Sequence, residues 1–198
     1  MNVAVTRAAE GFPRRAFTVD DISRMMEAGV LGEDENFELI EGDLVVVAAK
    51  HVGHDGIKNE LSMRLAKSAP DGVFIAIECS LQLANDVLVE PDIAVISRAI
   101  YAAERKTFAR PRPEDVPLLI EIAASSLAFD RGVKARLYAR HGIRELWVID
   151  ADKRITFVHT GPSGETWSSI VERGPRDVLT TPAVPGFSIR LADIVGGG

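Results

Sequence analysis

PLLIEIAA, residues 117 to 124, sets a carboxylate, Glu121, inside an otherwise apolar run. Such a run reads as a strand buried on both faces, where an ionised carboxylate is costly unless it is paired or bound to a cation. Side chains alternate along a strand, so Glu121 points with Leu119 and Ala123, opposite Ile120 and Ile122. Asp92 follows Pro91 at the mouth of a second apolar run, IAVI, and Lys134 lies downstream on an expected helix. Two carboxylates and a lysine, if neighbouring strands bring them together, are the minimum parts of a metal-dependent phosphodiesterase.

Outward from that strand, periodicity marks the remaining elements. FTVDDISRMMEAG reads as a first helix, with Thr18 as N-cap, Asp20 and Asp21 in the first turn and Gly29 as terminator. FELIEGDLVVVAA (37 to 49) reads as two short strands turning at Gly42 and Asp43. His54 to Ala69 carries Ile57, Leu61 and Leu65 at four-residue spacing, an amphipathic helix. VFIAIECSLQL (73 to 83) and VLVEPDIAVI (87 to 96) read as strands joined by an Asn85-Asp86 turn. Residues 98 to 116 form a polar excursion. Asp130 is the expected N-cap of a helix that Gly142 ends, followed by strands at ELWVID, RITFVH and ETWSSIV. This pattern makes the chain α/β or α+β, a central mixed sheet flanked by helices.

A length of 198 residues suits one domain, expected over 17–195 behind a loose tail at 1–16. No stretch reaches the apolar length of a membrane span, and the single cysteine, Cys79, fits a reducing cytoplasm and excludes an internal disulfide. A net charge of -6 argues against nucleic-acid binding by bulk charge but leaves room for a local basic groove. Arg131, Lys134, Arg136, Arg140 and Arg144 crowd the helix after Glu121 and its exit. The excursion adds Arg98, Arg105, Lys106, Arg110 and Arg112. Such a cluster suits phosphate contacts, and equally an ordinary solvated face. Trp147 and Trp167 lie in expected strands and read as core or interface rather than as base-stacking platforms.

The site chemistry follows from the residue types. Mg²⁺ prefers oxygen ligands and keeps several waters, so Asp92, Glu121 and a substrate phosphate suffice to hold it; Mn²⁺ is a reasonable substitute. Lys134 would orient the attacking water or stabilise the anionic transition state, and a helix starting at Asp130 places Lys134 and Tyr138 one turn apart on one face. Each residue also has a plainer reading: Asp92 as a polar strand start, Glu121 as a buried ion-pair partner, Lys134 as a solvated helix residue.

The chain resembles the Uma-two family, bacterial proteins of the restriction-endonuclease-like PD-(D/E)xK superfamily, over nearly everything from Phe17 to Val195. The matching stretches are FELIEGDLV, His54, EPDIAVIS (90 to 97), residues 113 to 150 and PAVPGFSIRLADI (182 to 194). The resemblance implies a restriction-endonuclease-like fold with Asp92 and Glu121 as metal-binding acids and Glu38 as a further active-site acid. In the superfamily pattern the lysine stands two residues beyond the second acid, where this chain has Ala123, so Lys134 becomes the migrated lysine. His54, Asp130 and Tyr138 match as well, although a helix-opening histidine can simply pack, Asp130 reads equally as a cap, and Tyr138 as core. Many relatives carry an acid where this chain has Ala124. The function implied is a divalent-metal-dependent endonuclease acting on DNA, working as a homodimer whose two sites face two strands. The alternative is a catalytically weak or inactive nuclease-fold module that binds nucleic acid or assembles with partners.

Overall fold

Thr18 opens the first helix through a reciprocal cap: its hydroxyl accepts the Asp21 N–H at 3.1 Å, and the Asp21 carboxylate accepts the Thr18 N–H at 3.0 Å. The structure is a computed structural model that describes residues 15–32, 35–47, 52–102 and 108–194. Residues 1–14 of the expected tail lie outside the described residues, as do Ala48, Ala49, Arg105, Lys106 and Val195. The described elements fall into two compact units, the first built from Met1–Ala49 and Ser80–Glu90, the second from Lys50–Cys79 and Pro91–Gly198.

The first unit holds α1 (Val19–Glu27) and four strands, β1 (Phe37–Ile40), β2 (Asp43–Val46), β4 (Leu81–Ala84) and β5 (Val87–Val89), in the order β2-β1-β5-β4. The β1–β2 hairpin turns at Glu41 and Gly42, with φ of +52° and +80°. The expected turn at Gly42 and Asp43 is thus one residue early, because Asp43 already pairs with Ile40. Gly42 is required there twice over: it takes a left-handed conformation, and a Cβ would collide with Ala16.

The second unit is a six-stranded sheet in the order β10-β9-β8-β7-β6-β3. Its strands are β3 (Val73–Ile77), β6 (Ile93–Ser97), β7 (Leu118–Ala123), β8 (Glu145–Asp150), β9 (Ile155–Ser163) and β10 (Thr166–Arg173). All neighbours are antiparallel except β7 and β8. A parallel pair needs a crossover. The chain supplies it as one continuous helical run: α3 (Leu127–Phe129), a π-helical segment at Asp130–Lys134, and α4 (Ala135–Arg140), ended by Gly142 at φ +73°.

Two expected strands prove to be four. The 73–83 run breaks at Glu78, whose φ is +49°, and the 87–96 run breaks at Glu90–Asp92, where Pro91 removes a ladder donor. Each run sends one half to each sheet, so apolar continuity along the chain conceals a change of sheet.

Helix α2 (Val52–Ser68) lays Ile57, Leu61 and Leu65 on one face of the larger sheet, against Ile93, Val95, Leu118, Ile120 and Ile122. The C-terminal segment closes the same core with Val184, Phe187, Ile189, Leu191 and Ile194. Fully buried Trp147 belongs here as expected, its indole N–H donating to Glu145 at 2.7 Å. Glu121 points to the opposite face, the side that the crossover helix covers with Tyr138.

Candidate active site

The antiparallel register pairs Ile93 with Ile120 and Ala94 with Leu119. Asp92 immediately precedes that ladder and its carboxylate takes the N–H of Ile122, the residue after Glu121. Both carboxylates are buried, each with a relative exposure of 4%. Asp92, just before β6, and Glu121, within β7, thus lie on neighbouring strands.

Each acid has a dedicated support. Asp92 Oδ2 accepts the Ile122 N–H at 2.7 Å, its Oδ1 lies 3.0 Å from His54 Nε2, and its peptide oxygen accepts the Glu78 N–H at 3.2 Å. Glu121 Oε1 lies 2.7 Å from Lys134 Nζ and accepts the Tyr138 hydroxyl at 2.5 Å. Lys134 is itself 4% exposed. Isolated, either charge of that pair would be destabilised by several kcal/mol; the contact and the extra hydrogen bond are what permit both to stay.

Of the residues singled out in the sequence, His54, Asp92, Glu121, Lys134 and Tyr138 are joined by these contacts. Tyr138 is core, as its plainer reading held, but its hydroxyl serves Glu121. Asp130 is not an N-cap. The helical run begins at Leu127, and Asp130 lies within the π-helical segment, buried, accepting the Ser126 hydroxyl at 2.6 Å. Glu38 stands on β1 of the first unit, buried, where its carboxylate accepts the Glu90 N–H at 2.7 Å. Ala124 falls just past the end of β7, so strand alternation does not apply to it.

The expected basic cluster is partly spent on structure. Lys134 is internal, Arg131 stacks 3.5 Å over the Phe157 ring, Arg140 pairs with Glu165 at 3.2 Å, and Arg112 pairs with Glu114 and Asp115. Arg136 and Arg144 remain exposed on the helix and its exit. Trp167 is half-buried and donates its indole N–H to Ala135 at 2.9 Å, which fits packing better than stacking on a base. Lys58 and Glu78 escaped the reading of the sequence. They form a 2.7 Å ion pair close to Asp92, and the only available signal was that Lys58 stands one helical turn after His54.

Among the described residues no group of three or more His, Cys, Asp or Glu side chains could hold a metal. The donor set is instead a pair of carboxylates. It fits a hard cation that keeps most of its water, such as Mg²⁺, and does not fit a cation needing a full protein cage.

The mixed sheet, with its one parallel pair bridged by the crossover helix, has a restriction-endonuclease-like fold. The crystal structure described as that of "a putative nuclease belonging to DUF820 from Anabaena variabilis ATCC 29413" shares it, with a TM-score of 0.71, 19% identity, and coverage of 90% of this chain and 97% of that one. The chain belongs to the Uma2 family, described as "Putative restriction endonuclease", which matches residues 20–192. No curated protein matches. Among the described residues no helix is long and apolar enough to cross a membrane.

Proposed function

We propose that this chain is a divalent-metal-dependent endonuclease that hydrolyses phosphodiester bonds in DNA. The observation that supports the reading is two buried carboxylates on neighbouring strands, Asp92 bonded to the Ile122 N–H and Glu121 next to Ile122 in the chain, with the Lys134 ammonium 2.7 Å from Glu121. Asp92 and Glu121 would hold Mg²⁺ or Mn²⁺, which when bound supplies acidification of water and neutralisation of charge growing on the phosphate. The chain's own residues do the positioning. The Ile122 N–H fixes one oxygen of Asp92, while Lys134 and Tyr138 fix one oxygen of Glu121. Lys134 also brings a positive charge to the point where water adds to phosphorus and the bond to the leaving sugar oxygen breaks. In so dry a setting that charge stabilises an anionic transition state more than it would in water. Exposed Arg136 and Arg144 suit contacts to flanking phosphates, and a homodimer would offer one site to each strand of a duplex.

The test is nicking of supercoiled plasmid by the full chain with Mg²⁺ or Mn²⁺, against Asp92→Asn and Glu121→Gln. Metal-dependent nicking that both substitutions abolish is expected. Nicking that survives Glu121→Gln would refute the assignment. Salt-sensitive DNA binding without cleavage would select a nuclease-fold binding module instead.

A further inference from the structure

Among the described residues two lysines are buried, Lys134 and Lys58. The first serves Glu121. The second takes no part in the mechanism above, yet its burial needs a reason, because a solvent-exposed ion pair would avoid the desolvation cost.

Lys58 stands on the buried stripe of α2, one turn after His54 and ahead of Leu61 and Leu65. Its Nζ lies 2.7 Å from Glu78 Oε1 and 3.1 Å from Asp55 Oδ1. Both partners lead to Asp92. Asp55 Oδ1 is also 3.3 Å from His54 Nδ1, and the other nitrogen of that ring is 3.0 Å from the Asp92 carboxylate. Glu78 donates its peptide N–H to the Asp92 peptide oxygen at 3.2 Å. Glu78 itself has a left-handed backbone with φ +49°, a strained state for a side-chain-bearing residue unless its surroundings hold it there. The hydrogen bond from Lys58, ahead of that from His54, holds the Asp55 carboxyl below its usual range, so this arm carries its charge at neutral pH. One ammonium thus ties together two independent supports, one on the Asp92 side chain and one on its main chain.

We infer that Lys58 and Glu78 are positioning residues: an ion pair between the buried Lys58 ammonium and the more exposed Glu78 carboxylate that holds Asp92 and the His54 ring in place beside the start of β6. The catalytic consequence rests on the endonuclease reading, while the positioning itself does not.

The experiment compares the full-length parent with Lys58→Met, Lys58→Arg and Glu78→Gln. Two-dimensional NMR follows the Ile122 amide, which the Asp92 carboxylate accepts, and the His54 ring, assigned by its loss in His54→Gln. Lys58→Met is expected to move both signals while amides of β9 and β10 stay in place. Glu78→Gln should move them in the same direction, and Lys58→Arg should bring them back toward the parent. If Lys58→Met does not fold, Glu78→Gln and Lys58→Arg decide the question by the same signals. In parallel, the Mn²⁺ concentration for half-maximal nicking should rise roughly 10–100-fold in Lys58→Met, the usual effect of removing a support behind a metal-binding carboxylate. Unchanged Ile122 and His54 signals in every folded variant would overturn the inference. A parent that does not nick DNA would instead defeat the endonuclease reading, with the NMR comparison still deciding the positioning role.

Discussion

Replacing Lys134 with Met should leave Glu121 as a buried carboxylate without its cation. The pair is 2.7 Å apart with side-chain exposures of 6% and 5%, so water screens it little. Breaking a pair of this kind by removing one member costs about 3–5 kcal/mol. The Tyr138 hydroxyl still donates to Glu121, which argues for the lower end of that range. For a chain of 198 residues this corresponds to a fall of roughly 6–20 °C in the unfolding midpoint. By contrast, Arg112 is exposed and pairs at the surface with Glu114 and Asp115, so Arg112→Met serves as the control and should leave the melt nearly unchanged. The informative variant is the double substitution Glu121→Gln with Lys134→Met. It removes both charges while keeping an oxygen for Tyr138, so it should recover most of the lost stability, yet plasmid nicking should stay abolished. Circular-dichroism melts and a nicking assay on the four proteins of this cycle decide the matter. Should Lys134→Met melt within about 1 kcal/mol of the parent, or the double variant prove no more stable than the single, the buried-pair reasoning is wrong.

Asp92→Asn keeps the shape of the side chain and loses its charge; it should abolish Mn²⁺ binding in calorimetry while the melt shifts less than for Lys134→Met. Leu61→Ala opens a cavity in the core under α2 and should cost about 2–5 kcal/mol with nicking by the folded fraction intact, measured by urea titration. Burial pushes the Glu145 carboxyl up from its ordinary 4.5, against hydrogen bonds from Thr181 and Trp147. A raised folded-state value favours the protonated form, so this contribution is present below the unfolded value and lost as pH rises through the folded one. Glu145→Gln should therefore gain thermal stability over the parent as pH goes from about 4 to about 7, and a constant difference would contradict it. Finally, residues 17–195 are proposed to unfold as one cooperative domain although they form two compact units; the backbone passes between the units at 49–50, 79–80 and 90–91. Calorimetric and van't Hoff enthalpies should agree, and two resolved transitions would refute it.

The candidate site was legible in the sequence because its residues violate their surroundings. Glu121 interrupts an apolar strand and Asp92 opens another, and alternation alone orients Glu121 toward the face where Lys134 and Tyr138 arrive at helical spacing. What escaped depends on backbone geometry that no periodicity encodes. Asp130 looks like a cap because it precedes a polar-apolar repeat, but the helical run begins four residues after the strand ends, at Leu127, and absorbs Asp130 through a π-helical segment. The 73–83 and 87–96 runs look continuous because both halves are apolar; the left-handed Glu78 and the proline at 91 divide them between two sheets. Lys58 and Glu78 were invisible for a related reason. Their pairing, across 20 residues, exists only once that break is made.

Those same breaks explain why the site sits where it does. A regular antiparallel pair would satisfy the Ile122 N–H and Asp92 main chain by ladder bonds alone, leaving the Asp92 side chain to find its own position. Here Pro91 interrupts the donor pattern, Asp92 uses its carboxylate to take the Ile122 N–H at 2.7 Å, and the Glu78 N–H bonds the Asp92 peptide oxygen one step beyond the Ile77–Ile93 pair, where the chain turns left-handed and leaves the sheet. The irregularity costs stability locally and in return fixes a buried carboxylate on the strand next to that of Glu121, as the proposed cation site requires. Rigid placement matters most for a two-carboxylate set, because a cation that keeps its water gains little from each protein ligand and cannot itself organise a loose one. The strained Glu78 and the interrupted strand are therefore better understood as parts of the site than as flaws of the sheet.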